Sequence, residues 1–253
     1  MQTRRTFLAT TGAAITLLPF AARAAGAPGD VFQTPLGDIS IHPISHASFV
    51  MQTPTHTIYV DPTGAPEDYA GFAAADMVLI THEHGDHFDA ALLDVLVTPE
   101  TVITTNPAVF AMLGEAHRAQ ATQLANGETA TMLDMTIDAI PAYNTTQERL
   151  NFHPQGRDNG YVLDLGGYRI YISGDTEDVP EMRALQNIDI AFVCMNLPFT
   201  MDAEAAASAV SEFAPSYVYP YHYRGRDNGT QDPMEFANML ADGIEAKMGG
   251  WYG

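Results

Sequence analysis

The sequence has one cysteine, one tryptophan and few basic residues among its 253 positions. The single cysteine, Cys194, excludes an internal disulfide and a cysteine-rich zinc site. Eleven lysines and arginines against 31 aspartates and glutamates give a formal net charge of −20. This balance excludes a nucleic-acid-binding surface and argues against docking on anionic membranes. The chain is 46% hydrophobic, with 12 phenylalanines and 11 tyrosines, so we predict an acidic globular protein with a core.

Long apolar runs are also absent, apart from one of 14 residues, 7–20, near the N-terminus. As a helix this run spans roughly 21 Å, too short for a bilayer core of about 30 Å, so no stable membrane anchor is expected. Arg4-Arg5 precede the run and Ala22-Arg23-Ala24 has the form of a cleavage site, so the segment resembles a twin-arginine export signal. We expect 1–24 to be a signal peptide that the twin-arginine export machinery reads. The remainder, 25–253, is expected to form a single domain that works in the periplasm.

Strand-like and helix-like patterns alternate from Val31 to the C-terminus, with no low-complexity linker between them. We predict strands at 38–44, 49–52, 57–60, 77–80, 101–105, 161–165, 168–173, 188–195 and 217–220. We predict helices at 90–97, 107–115, 202–213 and 233–241. Asn126-Gly127 and Gly166-Gly167 have the composition of hairpin turns. The alternation suits an α/β protein in which helices cover two sheets.

The densest cluster of chemically active residues is the segment 81–87, THEHGDH, which follows a short apolar run. Because their spacing is two, His82 and His84 lie on the same side of an extended segment. The glycine that follows allows Asp86 and His87 to turn toward a second point. Neutral imidazoles together with carboxylates suit zinc, manganese or iron. The sequence therefore predicts a metal site at the end of a buried strand.

The spacing H-x-H-x-D-H after a strand resembles the signature of the metallo-β-lactamase superfamily. Other residues of the family pattern occur in the expected order, and these are Asp61, His153, Asp175 and His222. The segments 45–49, 152–156 and 171–176 resemble the ascorbate-6-phosphate lactonase-like branch, which is itself similar to phospholipase D enzymes that act on N-acyl phosphatidylethanolamine. The resemblance extends from about Ile41 to Arg224. It implies an αβ/βα four-layer sandwich with the metals at one edge of the paired sheets.

The resemblance also implies a site for two divalent metal ions, with zinc first and manganese or iron as alternatives. The ligands that it implies are His82, His84 and His153 for one ion and Asp86, His87 and His222 for the other. Asp175 would bridge the two ions, and catalysis is assigned to Asp86 and Asp175. Asp61 is implied to orient the histidine loop as a hydrogen-bond acceptor. For His46 three roles stay open: a similar orienting role, a position facing the substrate, and a purely structural one.

Two identical pentapeptides, Gly-Arg-Asp-Asn-Gly, occupy 156–160 and 225–229, and each begins three residues after an implied ligand histidine. Four arginines lie within four residues of these histidines: Arg149, Arg157, Arg224 and Arg226. In so acidic a chain, we expect an anionic substrate group to be held by Arg157, Arg224 or Arg226. The alternative is that these arginines pair with nearby acids and stabilise the turns.

Two other residues have weaker patterns. Tyr143 lies in the loop that leads to His153, where its hydroxyl either faces the substrate or packs within the loop. Cys194 lies in an apolar strand and is expected to be a buried core thiol.

The predicted function is metal-dependent hydrolysis, in which hydroxide shared by two metal ions attacks an ester, a lactone or a phosphodiester of a small molecule. Asp175 stands where some true β-lactamases carry a cysteine ligand, which disfavours antibiotic hydrolysis. Two alternatives stay open: a redox enzyme with two metal ions, and a non-catalytic periplasmic protein that binds a metal or a ligand. Oxygen-reducing relatives typically replace the second histidine of the motif with an acid, so the presence of His84 disfavours the redox alternative.

Overall fold

In the part of the chain that the structure describes, two seven-stranded sheets form most of the fold. The structure is a computed structural model, and it describes residues 29–252. The predicted twin-arginine signal at 1–24 lies outside these described residues. Within them, no helix combines the length and the apolar character that crossing a bilayer requires.

Both sheets follow one plan, with the strands in chain order. The first sheet contains β1 (Asp30–Thr34), β2 (Gly37–Ser45), β3 (Ser48–Gln52), β4 (Thr57–Val60), β5 (Met77–Ile80), β6 (Val102–Thr105) and β7 (Ala121–Gln123). The second contains β8 (Thr129–Met132), β9 (Met135–Ala142), β10 (Asp158–Leu165), β11 (Tyr168–Ile172), β12 (Ile190–Cys194), β13 (Tyr217–Tyr221) and β14 (Glu245–Ala246). In each sheet the first four strands pair antiparallel with one another. The fourth strand, β4 or β11, also pairs with the next one, and from there to the last strand all pairs are parallel.

Helices cover the outer faces of the two sheets. They are α1 (Ala90–Leu96), α2 (Pro107–Met112), α3 (Glu115–Ala119), α4 (Pro180–Arg183), α5 (Ala203–Phe213) and α6 (Pro233–Asn238), and a 3₁₀ helix spans Pro66–Tyr69. Leu92 and Leu93 of α1 pack with Val78 of β5 in an apolar cluster on the first sheet. On the second sheet, Phe213 of α5 meets the ring of Tyr171 on β11, with ring centroids 5.9 Å apart.

A stack of aromatic rings joins the two sheets. Phe49 of β3 stacks on Phe192 of β12 with ring centroids 4.2 Å apart, and Phe192 stacks in turn on Tyr219 of β13 at 4.9 Å. All three side chains are buried, so the main core lies between the sheets. Helix, sheet, sheet and helix therefore form four layers, and the predicted αβ/βα sandwich is confirmed.

One of the two predicted hairpins is wrong. β7 pairs with β6 in the first sheet and β8 pairs with β9 in the second, so Asn126-Gly127 lies in the crossover between the sheets. Gly127 does adopt the positive φ of a turn residue, 80°. A turn dipeptide does not show, however, whether the strands on either side of it pair with each other. The hairpin between β8 and β9 turns instead at Leu133-Asp134, with φ of 49° and 60°. Gly166-Gly167 forms the predicted hairpin between β10 and β11.

The predicted helix at 107–115 is broken into two. Leu113 is extended, with ψ of 142°, and α3 begins two residues later. Leu113 is buried against the first sheet. Arg118 of α3 donates to the carbonyl oxygens of Ala111 and Leu113 at 3.0 and 2.8 Å. These carbonyl groups therefore keep hydrogen-bond donors at the break, because the Arg118 side chain takes the place of the backbone amides that a further turn of helix would supply.

The carboxyl ends of four strands place the predicted ligands at one edge of the sandwich. Asp61 follows β4 and His82 follows β5, while Asp175 follows β11 and His222 follows β13. Each sheet is parallel in this part, and the carboxyl ends of parallel strands meet at one edge. Ligands that are far apart in sequence therefore converge there.

Candidate metal centre

Three of the predicted ligands form one group of donor atoms. His82 and His84 follow β5, and His153 lies in the loop between β9 and β10. Their donor atoms lie within 4.8 Å of one another, and His82 Nε2 is 3.1 Å from His84 Nδ1. This is the trio that the sequence predicts for one metal ion.

A second group contains His46 together with Asp86 and His222. Asp86 Oδ2 lies 3.4 Å from Nε2 of both His46 and His222. His87, which the sequence places in this set, is grouped instead with His82 and Asp175.

Asp175 connects the groups. Its Oδ2 atom lies 3.4 Å from Nε2 of both His153 and His222, and its Oδ1 atom lies 3.4 Å from His87 Nε2. The preceding Gly174 has a φ of 60°, and a Cβ there would lie 2.8 Å from the Asn159 carbonyl oxygen. Only glycine fits this turn without strain, so the Ser-Gly-Asp sequence is what brings the carboxylate to the centre.

The donor set fits divalent metal ions. Donors bound tetrahedrally at 2.0–2.1 Å lie about 3.3–3.4 Å apart, and the carboxylate-to-histidine distances here are 3.4 Å. Among residues 29–252, the buried atoms His87 Nε2 and Asp175 Oδ1 have no hydrogen-bond partner. Such buried polar atoms are costly unless another group satisfies them. A metal-binding site is therefore the arrangement that these side chains suit.

Burial and charge set the protonation of the donors. Burial lowers the pKa of His82 well below its usual value, which favours a neutral imidazole. Burial alone would raise the pKa of Asp175, but His222 and His87 hold it well below its usual range. Burial opposes protonation of His87, but Asp175 and Asp61 raise its pKa well above the usual value. A metal ion must displace such protons, so its binding weakens as the pH falls.

The outer nitrogens of two buried histidines, His87 and His153, are held by carboxylates. His87 Nδ1 donates to Asp61 Oδ2 at 2.8 Å, and Asp61 also accepts from the Thr81 amide and hydroxyl at 2.7 Å each. These contacts are those expected of the orienting role that the resemblance implies for Asp61, and that role stays a prediction. His153 Nδ1 donates to Asp158 Oδ2 at 3.0 Å. Such partners fix the ring orientation and the tautomer, so that Nε2 faces the metal site.

Asp158 is not among the residues that the sequence predicts for the site. The available signal is its position five residues after His153, inside the first pentapeptide. The two pentapeptides differ in structure, because Asp158 starts β10 and is buried, while Asp227 lies in an exposed turn with φ of 52°. Identical sequence therefore does not give the two pentapeptides the same structure.

The structure corrects the prediction for Arg157. Its guanidinium donates to Asp158 Oδ1 at 2.6 Å and pairs with Glu83 Oε1 at 2.9 Å. It also donates to the Phe152 carbonyl oxygen at 2.7 Å. These contacts engage all three nitrogen atoms of the Arg157 guanidinium. Arg157 therefore holds Asp158 in place and is not free to bind an anionic substrate.

Arg224 and Arg226 remain candidates for binding the substrate. The Arg224 guanidinium lies 4.2 Å from the ring centroid of Tyr252, and that of Arg226 lies 5.4 Å from the ring centroid of Phe199. Within the described part of the chain, neither forms an ion pair with a carboxylate. Both line a cleft of about 320 Å³ above the metal donors, together with Phe152, Asn196 and Phe199.

Two other predictions concern residues near this cleft. The Tyr143 hydroxyl donates to Glu181 Oε2 at 3.0 Å, and Tyr143 does not line the cleft. The substrate-facing role for Tyr143 is therefore wrong, because its hydroxyl is bound on α4. Cys194 is fully buried, as predicted, and burial raises the pKa of its thiol to about 12.

Glu177 ties the loop of His153 to the turn of Asp175. Its Oε2 atom accepts hydrogen bonds from the Thr145 amide and hydroxyl and the Thr146 amide at 2.7–2.8 Å, and its Oε1 atom accepts one from Arg149 at 2.6 Å. Burial alone would raise the pKa of Glu177, but these hydrogen bonds lower it to about 2. No pattern in the sequence points to Glu177.

Replacing Glu177 with glutamine is expected to destabilise the fold by about 2–4 kcal/mol, because glutamine has no charge to pair with Arg149 and its one carbonyl oxygen can replace only one of the two carboxylate oxygens. Since the folded pKa is depressed, wild-type Glu177 contributes stability above pH 4.5 and loses it as the pH falls toward 2. Urea unfolding at pH 7 and pH 3 measures the free energy of unfolding of the metal-free wild type and of the metal-free variant. The difference in this free energy between the two proteins should be smaller at pH 3 than at pH 7.

A matched control is Glu212→Gln, which breaks an exposed ion pair with Arg183. Exposed pairs contribute about 0–1 kcal/mol. Equal stability of the Glu177 and Glu212 variants would contradict the role assigned to Glu177.

Comparison with known proteins agrees with this fold and with a metal-dependent hydrolase. The β-lactamase superfamily domain matches residues 40–222. A metal-dependent hydrolase of the UPF0173 family from Thermus thermophilus is 28% identical over 214 residues, which is 82% of this chain and 94% of the relative. A UPF0173 metal-dependent hydrolase from a Ruegeria species is 31% identical over 194 residues, with 72% and 84% covered.

In structure, the chain is similar to a protein from Parabacteroides distasonis that is described as a metal-dependent hydrolase. The TM-score is 0.77 at 42% identity, with 87% of this chain and 97% of that chain covered. The fold and the donor groups thus define a β-lactamase-superfamily protein. Within that class the chain belongs to the UPF0173 family of metal-dependent hydrolases.

Proposed function

We propose that this protein is a binuclear hydrolase that cleaves an ester, lactone or phosphodiester bond in a small anionic substrate. The observation that carries the proposal is the position of Asp175 Oδ2, 3.4 Å from Nε2 of both His153 and His222. These two histidines belong to separate donor groups, so one carboxylate reaches both. A shared carboxylate suits two metal ions about 3.5–4 Å apart, the spacing found in two-metal hydrolases.

Two bound ions would supply a water molecule of lowered pKa and would polarise the bond to be cleaved. Asp61 and Asp158 keep the histidine rings oriented for this purpose. Asn196 lines the cleft beside His222, and its side-chain oxygen accepts from Thr200. The amide nitrogen of Asn196 lies 3.2 Å from His222 Nε2 and 3.3 Å from His222 Nδ1, so Asn196 contacts the His222 ring at the wall of the cleft.

An anionic substrate group is supported by the two free guanidinium groups in the cleft. Arg224 and Arg226 rest on aromatic rings and have no carboxylate partner within residues 29–252. A guanidinium fork binds a carboxylate or a phosphate through two parallel hydrogen bonds. In a chain with a net charge of −20, local positive charge is needed to admit an anion.

Replacing Arg224 or Arg226 with alanine is expected to lower kcat/KM for an anionic substrate selectively. The loss should be about 1.5–3 kcal/mol, the size of a hydrogen bond to a charged group. Replacement with lysine should restore only part of the lost kcat/KM, because an ammonium group cannot form the two parallel hydrogen bonds of a guanidinium. The comparison is made with a neutral analogue of the same substrate.

Arg169→Ala is the control, since Arg169 pairs with Asp164 in the second sheet and does not line the cleft. Equal losses for the anionic and the neutral substrate would contradict anion binding by Arg224 and Arg226.

The proposed reaction is tested by a panel of lactones, carboxylic esters and phosphodiesters, offered to protein whose native metals have been measured by elemental analysis. Lactones come first, because 171–176 resembles a lactonase-like branch. Hydrolysis of one class that stops on chelation is the expected result. If none of the three classes is turned over by protein with two metal ions bound, the proposal fails.

The periplasm is the proposed place of action, and the Arg4-Arg5 pair before an apolar run supports it. Arg4→Lys together with Arg5→Lys keeps the charge and removes the export signal. The precursor is then expected to accumulate in the cytoplasm, whereas wild type should have a mature N-terminus near Ala25. Fractionation and N-terminal sequencing measure both, and efficient export of the double-lysine variant would refute this proposal.

A further inference from the structure

His46 lies at the metal centre, far in sequence from the histidine motif. It occupies the turn between β2 and β3 with a φ of 54°, and its carbonyl oxygen accepts from the His222 amide at 3.2 Å. The His46 and His222 rings have centroids 3.9 Å apart. The turn thus fixes His46 beside a predicted ligand on the opposite sheet.

The ring nitrogens of His46 are arranged like those of the predicted ligands. His46 Nε2 lies 3.4 Å from Asp86 Oδ2, which equals the distance from His222 Nε2 to the same oxygen. Donors around one ion at 2.0–2.1 Å are expected about 3.3–3.4 Å apart. Among the described residues, the donor atoms of His46, Asp86 and His222 form one group within 4.8 Å.

The other nitrogen of His46 has a fixed partner. Its Nδ1 atom lies 2.8 Å from the hydroxyl oxygen of Tyr252, and that oxygen also accepts from the Arg224 amide at 3.4 Å. Burial raises the pKa of Tyr252, so its hydroxyl stays neutral. This is the arrangement of His87 with Asp61 and of His153 with Asp158, in which an outer group orients the ring and Nε2 faces the centre.

We propose that His46 is a protein ligand of the second metal ion, together with Asp86 and His222, and that Tyr252 positions it. The inference rests on the proposed binuclear function and adds a ligand from outside the H-x-H-x-D-H motif. A histidine that faced only the substrate would not need an outer partner on Nδ1. A structural histidine that only donated a hydrogen bond to Asp86 would place Nε2 about 2.7–3.2 Å from Oδ2, which is closer than the 3.4 Å here.

The test is metal binding without substrate. Metal-free protein is titrated with zinc chloride in competition with a chromophoric chelator, and wild type should bind two equivalents. His46→Asn keeps a residue that tolerates positive φ but cannot reach the ion. It is expected to weaken the second equivalent by at least ~10-fold and to leave the first unchanged. Tyr252→Phe should weaken the second equivalent by a smaller factor.

His56→Asn is the matched control. His56 lies in the turn between β3 and β4 and lines a different cleft, so both equivalents should bind as in wild type. Circular dichroism of the metal-free variants checks that they fold. Cobalt(II) in the second position gives an independent readout, because loss of a nitrogen donor changes its visible spectrum.

The outcomes separate this inference from the proposed function. If wild type binds two equivalents and His46→Asn binds both with wild-type affinity and an unchanged cobalt spectrum, the inference is overturned and the proposed function stands. Equal weakening of both equivalents also overturns it, since it indicates a structural role. If the wild type binds only one equivalent of zinc, both the inference about His46 and the proposed binuclear function are overturned. Lack of turnover in the substrate panel overturns the proposed function alone, because the titration uses no substrate.

Discussion

Asp175→Asn is expected to lower the bound metal from about two ions per chain to less than one and to abolish hydrolysis, with the fold intact. The Asp175 carboxylate contacts His153 and His222 through Oδ2 and His87 through Oδ1, so it contributes to every donor group. Asparagine has nearly the same shape but carries no charge, and its amide nitrogen is not a metal donor. With both ions weakened, we expect turnover to fall by at least about 10³-fold.

Elemental analysis, turnover with the best substrate and circular dichroism measure the effect of this substitution. Asp164→Asn serves as the control, because Asp164 lies on β10 in an ion pair with Arg169 away from the cleft. An Asp175→Asn protein with full metal content and full activity would show that Asp175 does not bridge.

His153→Ala and His222→Ala are expected to remove different metal ions. His153 shares its donor group with His82 and His84, while His222 shares its group with His46 and Asp86. Each variant should therefore retain about one ion per chain and lose hydrolysis, because the bridging arrangement needs both ions. Zinc titration of the two variants, with the cobalt spectrum of the remaining site, distinguishes the ion that is lost.

Each variant serves as the control for the other, because both remove one imidazole from the same edge of the sandwich. If both lose both ions equally, the division of the ligands between two ions is not supported. If both retain two ions, neither histidine is a ligand.

The parts of the site that the sequence predicts are those held within short segments. The motif at 81–87 is contiguous and follows β5 directly, so its donors all start at one edge of the first sheet, where distant residues complete each donor group. Asp175 is predicted from the resemblance to the metallo-β-lactamase superfamily, and the structure adds that Gly174 before it takes a positive φ. The alternation of strands and helices predicts two sheets covered by helices, and the family resemblance adds the four-layer sandwich that the structure has.

Other features depend on contacts between segments that the sequence does not relate. The positions of His46 and Tyr252 depend on packing between the first sheet and the C-terminal segment, and their hydrogen bond joins residues 206 positions apart. The sequence leaves two roles open for Tyr143, and only the structure excludes the substrate-facing one, because Glu181 on α4 accepts a hydrogen bond from its hydroxyl. The Asn126-Gly127 turn connects two sheets, because the strands on either side of it pair elsewhere.

The most direct test of the central claim is a metal titration that follows binding and hydrolysis together. Metal-free protein is prepared by chelation, and zinc or manganese is added stepwise in the presence of the best substrate from the panel. The account predicts that the protein binds two ions per chain and that hydrolysis reaches its maximum when the second ion is bound. Binding of a single ion at full activity, or hydrolysis that persists after complete removal of metal, would contradict it.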